Sequence, residues 1–384
     1  MIAEELSRPA STADVRDVVQ EAAAHTMPLR IVAGGTWLSA GRPVAAEHRL
    51  ALAALTGIVE YTAGDLTLTA RAATSLAEIA RVTAAERQWL ALDPFGTPAG
   101  SIGATIATAS AGPHAHTFGT PRDNVLGLET VTGTGAVVRA GGRVVKNVAG
   151  FDLTRLFTGS WGTLGVITEV TVRLRALPEA DESYALSMDD GDVGALARRL
   201  RTVAMAPLAL ELVNPALAAH AGLERRTLLL MRLGASGESV RAQRAAAAEL
   251  GDLVSIPDDV WNRLRECEPA RAGVLRLSTR PSHIGDCWTF ARAATRDVPG
   301  AFLHSSLARG IVRCIVPDED PGAVSGFVAA ARAFDGTRIA ERLPERCWTP
   351  EAAPSAVADR LSRGVKHGYD PANVLNPGIL GDGT

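Results

Sequence analysis

Two stretches of the 384-residue chain crowd glycines and hydroxyl side chains between apolar runs: RIVAGGTWLSAG at 30–41 and SIGATIATASAG at 101–112. Turns of this kind can aim backbone N–H groups at an anion. Small side chains let the anion come close, and hydroxyls add donors without positive charge. The first stretch is not a Rossmann fingerprint, because Gly34, Gly35 and Gly41 do not give GxGxxG and no amphipathic helix opens directly after them. It is not a Walker A loop either, since no Gly-Lys-Ser/Thr follows. Taken alone it reads equally well as a phosphate nest or as an ordinary glycine turn between strands. The second stretch shifts that balance, because two such segments could grip the two ends of an extended diphosphate cofactor. A small-residue helix packed on a sheet accounts for Ala104, Ala107 and Ala109 at least as well.

The segments around these turns supply the scaffold. TADVRDVVQEAAAH at 12–25 places Val15, Val18, Val19, Ala22 and Ala23 on one helical face, with Thr12 as the expected N-cap. Pro28 ends that helix, and LRIVA reads as a short buried strand entering the first turn. A hairpin is expected over 50–72 with Ala63-Gly64-Asp65 as its turn. SLAEIARVTAAERQ reads as a helix with Ser75 and Glu78 as a possible capping box. Strand-like runs follow in LGLETVTGTGAVVRAGG and LGVITEVTVRLRALP. Pro178 and the acidic EADES after it mark a boundary. Beyond it, strands and helices alternate in the manner of an antiparallel sheet carrying helices, an α+β arrangement. The segment AVADRLSRGVKHGYDPANVLNPGILG reads as a helix and then a Pro/Asn/Gly-rich tail. The expected organisation is therefore residues 1–178, 179–350 and a C-terminal segment 351–384 that returns to the first domain.

Composition narrows the classes. With 47% hydrophobic and 21% charged residues the chain reads as globular, and its length favours two domains. A formal net charge of -3 without long runs of one sign leaves nucleic acid no electrostatic footprint. Cys267, Cys287, Cys314 and Cys347 are scattered and form no CxxC, so neither a metal cluster nor a disulfide framework is expected. The opening MIAEELSRPA does not read as a signal peptide, and no apolar run suits a bilayer. A cytoplasmic place is expected, with contact to the inner membrane only through a complex.

Four segments in this order carry a resemblance: AGGTWLSAG, then GSIGATIATASAGPHAHTFGTPRDNVLGLETVTGTG, then GGRVVKNVAGFDLTRLFTGSWGTLGVITEV, and the tail YDPANVLNPGIL. Together they resemble flavoproteins of the vanillyl-alcohol oxidase/p-cresol methylhydroxylase (PCMH) type. Within that group they are most similar to the branch acting on 2-hydroxy acids and the FAD-binding subunit of glycolate oxidase. The resemblance is dense over about 28–178, resumes at about 368–380 and is diffuse between. It implies a two-subdomain FAD-binding domain plus an α+β cap. The anion would then be the pyrophosphate of FAD. Ala33, Gly34, Gly35, Thr36 and Trp37 would sit on the diphosphate loop. Ser101, Gly103, Ala104, Thr105 and Thr108 would line a second cofactor loop. Thr117, Phe118 and Gly119 would lie towards the isoalloxazine ring. Gly165, Val166 and Ile167 would face the adenine end, and Asn376 would approach the flavin region from the tail. Trp37, Ala104 and Thr105 depart from residues common in the family. The first loop holds no histidine, so covalent tethering of FAD there is not expected.

The resemblance also implies a substrate whose oxidation delivers a hydride to flavin N5. A 2-hydroxy acid would need a cation for its carboxylate and a base for its hydroxyl proton. His114 and His116 could supply the base, or could be loop histidines bonded to backbone. Lys146 could face the substrate or make a surface ion pair, and Asp152 reads better as a helix cap than as a catalytic group. Arg309 and Arg313 fall on an expected cap strand, just after His304. Alternation puts both arginines on one face, either as a carboxylate clamp or solvated. His116, Lys146 and Arg309 are the leading catalytic candidates. The metal-binding cluster HxxGDGNxH of some relatives has no counterpart, so metal-assisted proton abstraction is not expected. A second flavoprotein subunit and an iron–sulfur subunit are the implied partners.

Overall fold

Local signals build the first elements much as the periodicity requires. The helix at Thr12–His25 buries Val15, Val19 and Ala22, and a capping box between Ser11 and Asp14 starts it. The N-cap is therefore Ser11, one residue before the expected Thr12, because Asp14 is correctly spaced to reach back to Ser11. Ser75 caps Leu76–Ala84 by accepting from the Glu78 amide. Ala63–Asp65 closes the expected hairpin as a tight 3-10 turn. The structure, a computed structural model, describes residues 5–142, 151–188, 193–348 and 356–381. It divides into two compact units. One comprises Met1–Ala111, Gly119–Leu177 and Thr349–Thr384; the other comprises Gly112–Phe118 and Pro178–Trp348.

In the first unit, β1 (Glu5–Ser7), β2 (Leu29–Val32) and β3 (His48–Ala51) form a parallel sheet in the order β1-β3-β2, with α1 (Thr12–His25) between β1 and β2 in the chain. The chain continues through β4 (Ile58–Thr62), β5 (Thr67–Arg71), α2 (Leu76–Ala84), β6 (Gln88–Trp89) and α3 (Ile102–Thr108). It leaves for α4 (Ala115–Phe118), which belongs to the second unit. It returns with α5 (Pro121–Asn124), β7 (Val125–Thr132), β8 (Val137–Gly141), α6 (Leu153–Phe157), β9 (Gly165–Arg173) and β10 (Arg175–Ala176). An antiparallel sheet runs β4-β5-β9-β7-β8. The second glycine-rich stretch is mainly the short helix α3, so the helical alternative describes its backbone. Gly103 is required there. A Cβ at this position would lie 2.6 Å from the Ala72 Cβ, and the Gly103 amide donates to the Ala72 carbonyl at 2.8 Å. As expected, Asp152 caps α6.

The second unit continues with β11 (Ala180–Ser187), α7 (Val193–Arg199), β12 (Ala209–Val213), α8 (Pro215–His220), β13 (Leu228–Ala235), α9 (Gly237–Ala247) and β14 (Leu253–Ser255). Then come α10 (Val260–Arg265), β15 (Ala272–Ser278), α11 (Ile284–Ala294), β16 (Phe302–Ser306), β17 (Ile311–Pro317), α12 (Pro321–Ala331) and β18 (Thr337–Arg342). Its eight described strands form one antiparallel sheet, β14-β11-β13-β12-β16-β17-β15-β18. The architecture is thus mixed α+β with a large antiparallel sheet. Strand alternation gives this sheet two different faces. Leu210, Leu212, Leu303, Val312 and Cys314 join buried residues of α7, α9, α11 and α12 in one apolar core. The residues between them include Glu211, His304 and Arg313, buried polar groups that cannot belong to that core. The last helix, α13 (Ala356–Tyr369), returns to the first unit.

Candidate functional site

The first unit holds a cleft with about 1080 Å³ of empty space, open to solvent, between β2, α3 and the start of β9. Ala33, Gly34, Gly35, Thr36 and Trp37 line it from one side. Ser101, Gly103, Ala104, Thr105 and Thr108 line it from α3. Gly165, Val166 and Ile167 form part of its floor, and Asn376 enters from the tail. Two segments far apart in sequence therefore meet at one space. Thr117, Phe118 and Gly119 do not line it; Thr117 instead donates through Oγ1 to the Pro207 carbonyl at 2.5 Å, inside the second unit. The hydroxyls on α3 are partly committed to their own helix, Thr105 to the Ser101 carbonyl at 3.0 Å and Thr108 to Ala104 at 2.8 Å.

The tail holds the cleft walls together. The Asn376 Oδ1 accepts from the Ile31 amide at 2.9 Å, and its Nδ2 donates to the Trp161 carbonyl at 2.8 Å. Its own amide donates to Leu29 at 3.0 Å, and Leu29 in turn donates to Val374 at 2.7 Å. Asparagine suits this post because its backbone is left-handed, at φ 42°. Behind it, Lys366 donates from Nζ to Asp370 at 2.8 Å, to the Thr163 carbonyl at 2.8 Å and to the Leu375 carbonyl at 3.2 Å. Asp370 accepts from the amides of Val374 and Leu375. Burial pushes the Lys366 ammonium below its ordinary pKa, and Asp370 opposes that shift.

Several lining residues escape a search for glycine motifs. Arg30 and Trp161 both line the cleft. The Trp161 ring stacks on Trp37 with centroids 6.0 Å apart, and its backbone is left-handed at φ 55°. Arg30 Nη1 and Trp37 Nε1 are buried donors with no hydrogen-bond partner among the described residues. Native proteins rarely leave such donors unmade, so a ligand carrying acceptors fits this space. Arg30 is visible in the sequence as a charge shortly before the glycine loop, but its direction depends on strand alternation. Nothing in the sequence marks Trp161 as Trp37's partner. Among the described residues lining the cleft there is no acidic side chain and no histidine, cysteine or tyrosine.

The second unit contains a separate pocket, partly open to solvent, bounded in part by His116, Arg201, Leu210 and Leu307. His116 Nδ1 is buried without a hydrogen-bond partner among the described residues. Burial lowers the His116 pKa, the Glu211 carboxylate opposes this, and Arg309 adds to it. Glu211 is itself buried and lies 3.2 Å from His304 Nδ1. His114 is pushed down to about 3 by burial and by Arg232 and Arg265, and its Nε2 meets Arg232 at 3.1 Å. Arg309 ends a 3-10 turn at Leu307–Arg309 instead of starting a strand, because Gly310 is left-handed at φ 66° and β17 begins at Ile311. Its shared face with Arg313 is lost with the strand. Arg313 is buried and bonded to Glu268 and, at 2.6 Å, to Glu341. Lys146 lies outside the described residues.

A cleft with small-residue walls, a stacked tryptophan pair, two unmatched buried donors and, among the described lining residues, no acid suits a ligand rich in acceptor groups. A family profile described as an FAD binding domain matches residues 4–141. Glycolate oxidase subunit GlcE of Escherichia coli is 38% identical over 167 residues, which is 43% of this chain and 47% of that protein. The chain thus matches about half the length of that relative. An FAD-linked oxidoreductase, Rv2280, of Mycobacterium tuberculosis is 30% identical, over 97% of this chain and 90% of its own length. The solved structure of p-cresol methylhydroxylase with substrate bound has the same fold at 16% identity, with a TM-score of 0.76 over 98% of this chain and 88% of its own. The chain belongs to the FAD-linked oxidoreductases and shares the fold of p-cresol methylhydroxylase. No described helix is long and apolar enough to cross a membrane.

Proposed function

We propose that this protein is the FAD-binding subunit of a glycolate oxidase-like 2-hydroxy-acid dehydrogenase complex. FAD would lie in the first unit's cleft without a covalent bond. The carrying observation is the meeting of the two glycine- and hydroxyl-bearing segments at a cleft that also presents two unmatched buried donors. The first glycine loop, 30–41, holds no histidine, and non-covalent attachment is part of the proposal. The residues that would hold FAD are those of 33–37, the α3 face, Gly165–Ile167 and Asn376. When bound, the flavin supplies a two-electron, hydride-accepting centre.

The chain's own part is to position substrate and handle one proton. His116 is the proposed base. Its depressed pKa leaves the imidazole neutral near pH 7, ready to accept the hydroxyl proton. Arg309, close enough to influence His116, would hold the carboxylate, with Lys146 a second cation for that role. Electrons would leave through a partner carrying an iron–sulfur centre and a second flavoprotein subunit. The 38% identity to glycolate oxidase subunit GlcE over 43% of the chain supports this reading.

The test is anaerobic addition of glycolate and D-lactate to the FAD-loaded chain, alone and with the candidate partner subunits. Bleaching of the flavin spectrum is expected. A chain that takes up no FAD, or a bound flavin inert to every 2-hydroxy acid in both settings, overturns the proposal.

A further inference from the structure

Arg30 is the one cation among the described residues lining the cleft, and half of its guanidinium is already used. Its Nη2 donates to the Leu38 carbonyl at 2.9 Å, which holds the glycine loop against β2. Its Nη1 is buried without a hydrogen-bond partner among the described residues. Among the described residues no acid lines the cleft, and no carboxylate offsets the charge of Arg30. Burial and the neighbouring Arg49 both disfavour its charge. A guanidinium does not lose its proton to relieve such stress, so it needs an anion. Trp37 Nε1, a second unmatched donor in the same cleft, points to acceptor oxygens there independently.

We propose that Arg30 is the cationic contact for a phosphate of the bound dinucleotide, with Nη1 donating a charge-assisted hydrogen bond while Nη2 stays on Leu38. This rests on the FAD reading above and deepens it. Arg30 would then select for the phosphate-bearing part of the cofactor and leave recognition of the ring system to other residues. A planar fork can hold the loop and an anion at once, which a lysine cannot reproduce with the same geometry.

The experiment uses the full chain stripped of flavin and titrated with FAD, ADP and riboflavin by calorimetry. Wild type is compared with Arg30→Gln, which removes the charge, and with Arg30→Lys. The expected result is a loss of about tenfold to a hundredfold in FAD and ADP affinity for Arg30→Gln. Riboflavin affinity should be unchanged, and Arg30→Lys should recover part of the loss. Wild-type FAD affinity should also fall with added salt more steeply than that of Arg30→Gln. Equal FAD binding by wild type and Arg30→Gln overturns the inference and leaves the flavin reading intact. So does an equal loss for FAD and riboflavin, the signature of a merely distorted loop. Arg30-dependent ADP binding by a chain that rejects FAD and riboflavin supports the phosphate contact and removes the flavin reading. A wild type that binds none of the three overturns both.

Discussion

Two histidines two residues apart have acquired different chemistry. His114 is deeply buried against Arg232 and held near a pKa of about 3, so it stays neutral throughout the working range with its Nε2 occupied. His116 is less buried, faces the second unit's cavity and has Glu211 partly offsetting the effects of burial and Arg309. If His116 is the base, its neutral form is the active one. The rate of flavin reduction should then be level from neutral pH upward and fall in one protonic step at a pH lower than an ordinary histidine would give. His116→Gln should slow reduction about a hundredfold or more and abolish that acid limb. Stopped-flow reduction across pH checks this, and an unchanged limb in the variant removes His116 from the role. The same shift has a stability consequence of known sign. A histidine whose folded pKa is depressed binds more protons when unfolded, so its contribution is present above the unfolded value and lost as pH falls through the folded one. Rates must therefore be read where circular dichroism reports an intact fold.

The tail helix and the loop after it work as one clasp. Lys366 and Asp370 form a buried ion pair one helical turn apart, and their remaining hydrogen bonds fix the segment that carries Asn376. Lys366→Met leaves the Asp370 carboxylate buried without its cation, at a cost of about 3–5 kcal/mol. FAD affinity should fall with it, because Asn376 tethers both Ile31 and Trp161. Adding Asp370→Asn should restore part of the stability, since the amide oxygen can still accept from Val374 or Leu375. Denaturant unfolding of the single and double variants measures both effects, and a single variant as stable as wild type refutes the clasp. Little of this clasp is legible in the sequence. Helices such as α1 and hairpins such as β4-β5 declare themselves because their caps, turns and periodicities are local. Asn376 is visible only through the tail's resemblance to other flavoproteins. The value of Lys366 depends on burial across more than two hundred residues, to Thr163. The small residues at 101–112 leave loop and helix both open in the sequence, and the Ser101 cap with close packing on Ala72 makes a short helix against poor local propensity. The expected strand through Arg309 fails at Gly310, where the glycine itself is the sequence's signal for a turn.

The chain path sets a stricter dependence than either element alone. The first unit is assembled from three separated pieces, and the last arrives only after the whole second unit has been made. The edge strand β2, which leads into the glycine loop, is bonded on one side to β3 and meets the tail through Leu29, Val374 and Leu375. Val374 and Leu375 are also fully buried in the core shared with α1, β2 and β3. Removing the tail would expose that core and free the backbone groups of Leu29 and Ile31 that Val374 and Asn376 now satisfy. The second unit has its own continuous apolar core, formed by residues of 184–347 without help from the tail. A chain ending at Trp348 should therefore keep the hydrogen-exchange protection of β12, β13 and β17 while losing that of β2. It should bind FAD at least a hundredfold more weakly, and flavin titration with exchange mass spectrometry reads both. Full FAD binding by the truncated chain would show that residues 30–37 and α3 hold the cofactor unaided. Neither Asn376 nor the clasp would then have a part in cofactor binding.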